Sequence, residues 1–245
     1  MKDAPVVDVF IPCFIDQIRP QIGWATIQIL EKVGCRVRYK AKQTCCGQPA
    51  YNAGFWKEAC GVAEKFMKDF YDEHAYVVSP SASCIGMLRN GYENLLGKEV
   101  KQKNYYHLQA RAFELTEFLV DVLGIEKIKG VKFPHRVTYH DSCAALRECM
   151  ISDAPRKLLQ QIEGLELIEL NHNETCCGFG GTFAVKFPAI SAAMAEQKVQ
   201  NALLTTAEYV VSTDYSCLMH LETYARKSSI PMKFLHIAEI LANAS

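Results

Sequence analysis

The sequence predicts an α/β protein made of two similar repeats, each a small, mostly parallel sheet flanked by helices. Segments with strand-like patterns alternate along the chain with segments of helical spacing, an order that produces parallel sheets with crossover helices. Several motifs also occur twice in the same order, about 130 residues apart. The 245 residues suit one large domain or two of about 120 residues each.

The first repeat begins with an apolar segment at residues 6–11, which we predict to be a strand. Residues 20–33 have the apolar spacing of a helix, and a glycine follows to end it. Residues 35–39 alternate apolar and basic side chains, which predicts a second strand. A loop with two adjacent cysteines, a helix at 55–71 and a strand at 76–79 complete the repeat.

The second repeat follows the same plan. The predicted elements are a strand at 136–139, a helix at 154–162, a strand at 165–170, a second double-cysteine loop, a helix at 188–205 and a strand at 209–212. Glycine and proline between residues 130 and 134 are typical of a boundary. We therefore predict a first repeat at residues 1–130 and a second at 131–245.

Four pairs of matching segments indicate the duplication. Residues 44–47 match 175–178, residues 76–79 match 209–212, residues 115–119 match 237–241, and the strand before Cys13 matches the strand before Cys143. Trp24, Phe55, Trp56 and Phe187 lie at helical or loop spacing, and we expect them to pack in the core.

Composition limits the classes of function. Lys+Arg and Asp+Glu each number 27, so the basic excess of a nucleic-acid-binding protein is missing and no nucleic-acid partner is expected. The N-terminus does not read as a secretory signal, and the apolar runs are shorter than the ~20 residues of a membrane span. We expect a cytoplasmic protein without a transmembrane segment. In that reducing compartment the eleven cysteines are not expected to form structural disulfides, and clustered cysteines there indicate metal or redox chemistry.

Eight cysteines follow predicted strands, four in each repeat. They are Cys13, Cys45, Cys46 and Cys84 in the first repeat and Cys143, Cys176, Cys177 and Cys217 in the second. Because the carboxyl ends of parallel strands meet at one edge of a sheet, each set of four should converge. Thiolates suit iron–sulfur clusters, zinc and copper(I). Adjacent cysteines diverge, so they would reach different irons of a cluster more easily than one small ion.

Other uses of these cysteines remain open from the residues alone. Each set could form a Cys₄ zinc site, supply a disulfide pair for thiol exchange, or consist of buried, inert side chains. Cys35, Cys60 and Cys149 have no counterpart in the other repeat, and core packing is expected for them.

Glycines follow both double-cysteine loops. Gly47, Gly178, Gly180 and Gly181 can adopt a positive φ and let the backbone approach a cofactor closely, so we predict them to be cofactor-binding residues. Backbone N–H groups there could donate to cluster sulfurs. The glycines at 178–181 do not have the full spacing of a dinucleotide-binding loop.

His140 and Asp141 precede Cys143, and the first repeat has no such pair near Cys13. These two side chains could donate protons or help to bind a carboxylate substrate. The chain also has no compact ferredoxin cysteine run. We therefore expect the chain to need a partner protein with which it exchanges electrons.

The double pattern Cys…CCG…Cys resembles the cysteine-rich CCG domain family. That family includes catalytic subunits of heterodisulfide reductases and iron–sulfur subunits of glycolate oxidase. Residues 11–14, 44–50 and 176–183 are similar in particular to members that act in bacterial lactate use, and the likeness covers nearly the whole chain.

The resemblance implies an iron–sulfur subunit of a three-protein system that oxidises L-lactate to pyruvate. We expect one or two clusters, of the [4Fe–4S] type, with zinc as an option in one repeat, because each repeat offers four thiolates. The implied partners are a ferredoxin-type iron–sulfur subunit and a third small subunit. The alternatives are a thiol–disulfide reductase of heterodisulfide-reductase type and a zinc-stabilised docking scaffold.

The chain departs from the wider family at two positions. Where the last cysteine is often the second of a Cys-x-x-Cys pair, the first position of that pair is Ser81 in one repeat and Asp214 in the other. Each repeat thus offers four thiolates, which is enough for a [4Fe–4S] cluster. Ser81 or Asp214 could add an oxygen ligand, or both could be ordinary polar loop residues.

Overall fold

The structure, a computed structural model, describes residues 4–96 and 102–243. The described part of the first repeat contains β1 (Val6–Val9), α1 (Cys13–Ile18), α2 (Pro20–Lys32), β2 (Arg36–Tyr39), α3 (Gln48–Asn52), α4 (Trp56–Asp69), β3 (Tyr76–Ser79), α5 (Ala82–Gly86), a π-helical turn (Met87–Gly91), α6 (Tyr92–Leu95), α7 (Gln102–Gln109), β4 (Ala112–Glu114), α8 (Leu115–Glu117) and a second π-helical turn (Phe118–Val122).

The second repeat contains β5 (Arg136–Tyr139), α9 (Cys143–Arg147), α10 (Asp153–Gln160), β6 (Glu166–Leu167), α11 (Thr182–Lys186), α12 (Pro188–Leu204), β7 (Tyr209–Ser212), α13 (Tyr215–Lys227), β8 (Lys233–His236) and α14 (Ile237–Ala242).

Each repeat is built on a four-stranded parallel sheet. The strand order is β2-β1-β3-β4 in the first sheet and β6-β5-β7-β8 in the second. The central strands are short, apolar and mostly buried, as parallel strands covered by helices on both faces must be. The predicted fold class, two α/β repeats with small parallel sheets, is confirmed.

Several predicted strands agree with the structure, and the fourth strand of each sheet was missed. The predictions for β3, β5 and β7 agree residue for residue. The strand predicted at 165–170 is only Glu166–Leu167, because it lies at the sheet edge and pairs on one side alone. The missed strands, β4 and β8, are short and run directly into α8 and α14.

The prediction that four aromatic side chains pack in the core is wrong. Trp24, Phe55, Trp56 and Phe187 are each more than half exposed. In α2 the core is contacted by Ile22 and its neighbours on the same face, and the tryptophan lies away from that face. Apolar spacing identified the helices but did not show which side chains the sheet covers.

The two repeats pack on each other through helices. The last helix, α14, packs against α2 of the first repeat, and α5 packs against α9. An ion pair between Arg19 and Glu239, 2.9 Å between Nη2 and Oε1, crosses the α2–α14 contact. No helix within residues 4–96 and 102–243 has the length and apolar character needed to cross a membrane.

Candidate metal centre

The four predicted cysteines of the first repeat come together at the carboxyl ends of its strands. Cys13 begins α1 after β1, Cys45 and Cys46 lie in the loop after β2, and Cys84 lies in α5 after β3. The Sγ atoms of Cys13 and Cys45 are 3.7 Å apart. The thiol of Cys46 is within hydrogen-bonding reach of those of Cys45 and Cys84. The four thiols therefore form one continuous set.

The second repeat repeats this arrangement. Cys143 begins α9, Cys176 and Cys177 lie in the loop after β6, and Cys217 lies in the first turn of α13. Cys176 interacts with Cys143 on one side and with Cys177 on the other, and Cys177 also reaches Cys217. Sulfur atoms from three separate segments thus converge in each half of the chain.

Both sets of thiols face the same cleft. All eight motif cysteines line a cavity of about 200 Å³ between the repeats. In each set two thiols are half-buried and two are buried. Phe14 and Phe179, one from each repeat, also line the cleft and meet edge to face with ring centroids 5.7 Å apart. Each repeat therefore contributes one aromatic ring to the wall of the shared cleft.

The thiols perturb one another electrostatically. Hydrogen bonds from the thiols of Cys13 and Cys46 lower the pKa of Cys45 to about 3, and the same contacts raise the pKa values of those two donors. In the second repeat, hydrogen bonds from Cys143 and Cys177 lower the pKa of Cys176 to about 2.

Each set on its own thus favours one thiolate, because further ionisation would place like charges within a few ångströms of each other. A bound cation would remove that repulsion. The donor set, four soft sulfur atoms with mutual contacts, fits a thiolate-bound metal or cluster.

The glycines predicted to bind a cofactor have two different placements. Gly47 and Gly178 have φ angles of +86° and +89°, and their N–H groups donate to the sulfurs of Cys45 and Cys176, both at 3.4 Å. Gly180 and Gly181 also have positive φ angles and line the cleft. The first pair therefore stabilises charge on sulfur, and the second shapes the wall of the cleft.

Ser81 and Asp214 are bonded to one another across the two repeats. Ser81 Oγ donates to Asp214 Oδ1 at 2.9 Å, and the N–H and hydroxyl of Ser83 donate to the same oxygen at 3.1 and 2.8 Å. The hydroxyl of Ser142 donates to Oδ2. Because both carboxylate oxygens already accept hydrogen bonds, the structure favours a polar linking role over an oxygen ligand.

The three cysteines without counterparts lie outside the cleft lining. Cys35 is buried, and desolvation raises its pKa to about 11. The thiol of Cys149 donates to the carbonyl of Ala82 at 3.3 Å, and Cys60 is half-buried on α4 beside Glu64. Their placement is that of packed side chains.

His140 lies closer to the thiols than the sequence indicated. It is fully buried, and one of its ring nitrogens lies within 4.8 Å of the sulfurs of Cys177 and Cys217. Burial lowers its pKa to about 3, which leaves the imidazole neutral. Asp141, in contrast, is bound by both terminal nitrogens of Arg156, at 2.9 and 2.7 Å. The sequence drew attention to this pair but could not separate their roles.

Sequence reasoning missed Lys198 altogether. Its side chain is 1% exposed, and its Nζ donates to the carbonyls of His172 and Asn173 at 3.0 and 2.7 Å. These carbonyls precede Cys176 and Cys177 in the second loop. The available signal was a lysine at helical spacing on the apolar face of α12.

Two parallel sheets whose carboxyl edges present four thiols each define a duplicated, cysteine-rich α/β protein with two candidate metal centres. The chain belongs to the family described as CCG, cysteine-rich domain, whose model matches residues 7–89 and 137–222.

The chain is similar along most of its length to curated relatives named Lactate utilization protein A. The protein of that name from Oceanobacillus iheyensis is 44% identical over 235 residues, which cover 96% of each chain. The one from Exiguobacterium sp. is 42% identical over 97% of each chain.

Among solved structures, a hypothetical protein from Helicobacter pylori matches with a TM-score of 0.61 and 11% identity. The match covers 98% of this chain and 48% of that one, so this chain spans about half its length. At this identity the likeness indicates a shared fold alone.

Proposed function

We propose that this chain is the iron–sulfur subunit of a bacterial system that oxidises L-lactate to pyruvate, and that it transfers electrons through cysteine-bound centres. The observation that carries the proposal is the convergence of two four-thiol sets on one cleft. The choice of lactate rests on the names of relatives that are 38–44% identical over almost the whole chain.

The proposed ligands form two sets. The first is Cys13, Cys45, Cys46 and Cys84, and the second is Cys143, Cys176, Cys177 and Cys217. Four thiolates are the usual complement of a [4Fe–4S] cluster, which supplies one-electron redox chemistry when bound. Zinc in one of the two sites is a second possibility, because a Cys₄ set also suits that ion.

The chain's own groups would tune such a centre. The N–H groups of Gly47 and Gly178 donate to cysteine sulfurs, and hydrogen bonds to sulfur raise the reduction potential of a cluster. Phe14 and Phe179 add apolar surface to the wall of the cleft, which lowers the polarity around a bound centre. Both effects act on the centres that would carry electrons. Lactate oxidation itself is proposed to take place in the assembled system.

Iron and acid-labile sulfide assays on anaerobically purified protein test the metal centres. We expect both elements in wild-type protein, and loss of roughly half of each in Cys45→Ala and in Cys176→Ala, since each substitution removes a ligand of one centre. Cys60→Ala is the matched control and should retain the full amount. Protein with neither iron nor sulfide would overturn the proposal.

The substrate and the partners need a separate test. We propose a ferredoxin-type iron–sulfur subunit and a third small subunit as partners, because the chain has no compact ferredoxin cysteine run of its own. Co-expression of the three proteins should give a complex whose iron–sulfur absorption bleaches on addition of L-lactate. A complex that forms and is reduced by dithionite, but not by L-lactate, would contradict the lactate assignment.

A second candidate function is a thiol–disulfide reductase, which the shared cleft favours because two thiol sets there could face one disulfide. It predicts that the isolated protein reduces a disulfide substrate with an artificial electron donor. A docking scaffold would instead hold about one or two zinc ions per chain without redox activity. The cytoplasmic location and the repeat boundary at residues 130 and 131 stay predictions.

A further inference from the structure

The two repeats differ directly beneath their thiols. In the first repeat Phe10 packs edge to face on Phe66, with ring centroids 4.8 Å apart. The residue that takes the place of Phe10 in the second repeat is His140. Each of these two residues directly follows the first strand of its sheet. Each also donates its backbone N–H, at 2.8 Å, to the carbonyl of a valine in the neighbouring strand, which is Val78 in the first repeat and Val211 in the second. The two positions are therefore structurally equivalent.

The partner of the phenylalanine is replaced as well. The buried positions of α4 include Ala59, Ala63 and Phe66, and those of α12 include Ser191, Ala195 and Lys198, at the same spacing. Lys198 thus takes the place of Phe66. An aromatic pair in one repeat has become a histidine and a lysine in the other, although both pairs are buried.

The imidazole of His140 is buried without hydrogen bonds to the described residues. Neither of its ring nitrogens has a hydrogen-bond partner in the described part of the chain. A buried polar group without a partner destabilises the folded state, so a fold retains one only where something else compensates. A metal ion is such a partner, since the neutral imidazole offers a lone pair and suits iron and zinc.

The polar groups around His140 are already in use. Lys198 donates to two loop carbonyls, and Asp141 is held by Arg156 and by the amide of Asn173 at 2.8 Å. The ring nitrogen of His140 instead lies within 4.8 Å of both buried sulfurs of the second set. Three donor atoms this close to one another can be brought to a common metal by small side-chain movements.

We infer that His140 supplies a nitrogen ligand beside Cys177 and Cys217, so that the second repeat holds a mixed cysteine–histidine centre while the first holds a thiolate-only centre. This inference rests on the proposed function, because it concerns the metal that the second set of thiols binds. A neutral imidazole adds less negative charge to a centre than a thiolate does, and histidine in place of cysteine raises the potential of iron–sulfur centres. With the imidazole in place of one of the four thiolates, the second centre is the stronger electron acceptor of the two.

The decisive measurement is the nitrogen hyperfine coupling in pulsed EPR spectra of anaerobically purified, dithionite-reduced protein. Wild-type protein labelled with ¹⁵N-histidine should show the strong coupling of a directly bound imidazole. This coupling should disappear in His140→Phe, which installs the residue of the first repeat, and in His140→Ala. His107→Phe, which changes an exposed histidine on α7, is the control and should keep the coupling.

A redox titration gives an independent readout. In His140→Phe the potential of one centre should fall while that of the other stays where it is in wild type. Iron in both centres without a histidine coupling, or a coupling that persists in His140→Phe, overturns this inference and leaves the proposed function standing. Protein without iron contradicts the proposed function instead. In that case zinc-edge X-ray absorption of the zinc-loaded protein tests the inference. The spectrum must show a nitrogen scatterer that His140→Phe removes, and a spectrum without this scatterer overturns the inference.

Discussion

Ser81 of the first repeat donates a hydrogen bond to Asp214 of the second, with 2.9 Å between the two oxygens. Both residues stand where the wider family often has a further cysteine, and both are buried. The same carboxylate accepts from the first turn of α5 and from the hydroxyl that caps α9. One side chain of the second repeat therefore orients the helices that carry Cys84 and Cys143.

Replacement of Asp214 by alanine should destabilise the protein, because four donors on Ser81, Ser83 and Ser142 would lose their acceptor. We expect the free energy of unfolding to fall by about 2–4 kcal/mol, since each buried polar group left unpaired costs about 1–3 kcal/mol. Asp214→Asn keeps one oxygen acceptor and should lose less. Urea denaturation under anaerobic conditions measures both. Glu222→Ala on the exposed side of α13 is the control, and an equal loss there would contradict the explanation.

Alanine should be tolerated less well at Gly178 than at Gly47, although both residues have a φ near +90°. A Cβ at Gly178 would lie 2.6 Å from the carbonyl oxygen of Ser191, whereas one at Gly47 would lie 3.4 Å from the nearest atom of Val62. The left-handed backbone costs each variant about 1–2 kcal/mol. Gly178→Ala adds a backbone clash and should lose metal from the second centre, as metal analysis would reveal.

Glu114 should make the stability depend on pH. Burial raises its pKa to about 8, and one of its oxygens accepts from Thr116 and Glu117 while the other has no partner in the described residues. Between its ordinary pKa of 4.5 and about 8, the folded protein holds this proton and the unfolded chain releases it. Stability must therefore fall as the pH rises through that window, by at most about 1.4 kcal/mol per pH unit.

Glu114→Gln should remove this contribution, since the amide imitates the protonated acid. The difference in unfolding free energy between the variant and wild type should grow in favour of the variant from pH 5 to pH 8. Denaturant titrations at several pH values measure it. A difference that does not change with pH would show that the carboxyl is already ionised in the folded protein.

Lys198→Met should loosen the loop that carries Cys176 and Cys177. The substitution keeps most of the side-chain volume but leaves the carbonyls of His172 and Asn173 without their donor. We expect a loss of about 1–3 kcal/mol in unfolding free energy and weaker metal retention in the second repeat. Lys186→Met, which changes an exposed lysine on α11, should have no such effect.

Much of the fold could be predicted because the central strands are apolar runs that a doubly covered parallel sheet requires. The two missed strands, β4 and β8, are short and end at Glu114 and His236, whose side chains cap the next helix. Such segments become strands only because a neighbouring strand is there to pair with, and a sequence window does not contain that neighbour. The exposed Trp24 has the same cause, since spacing alone does not show which face is covered.

The convergence of the thiols could be predicted, because each motif cysteine follows a strand of a parallel sheet, whereas the position of His140 could not. Its neighbours Cys177 and Cys217 lie 37 and 77 residues further along the chain, and only folded coordinates give the distance between them. The replacement of Phe66 by Lys198 was visible in principle by aligning the two repeats. An apolar position that turns polar in one copy marks a place where the copies have taken different roles.

The packing of α14 on α2 ties the end of the chain to its beginning. Although duplication produced two thiol sets, neither copy keeps its full hydrophobic cover without the other. The segment that joins the two repeats only connects them, and the helix contacts between the repeats determine their relative position. A substitution that disrupts α14 would consequently also disturb the first repeat, and with it the cysteines on the opposite side of the cleft.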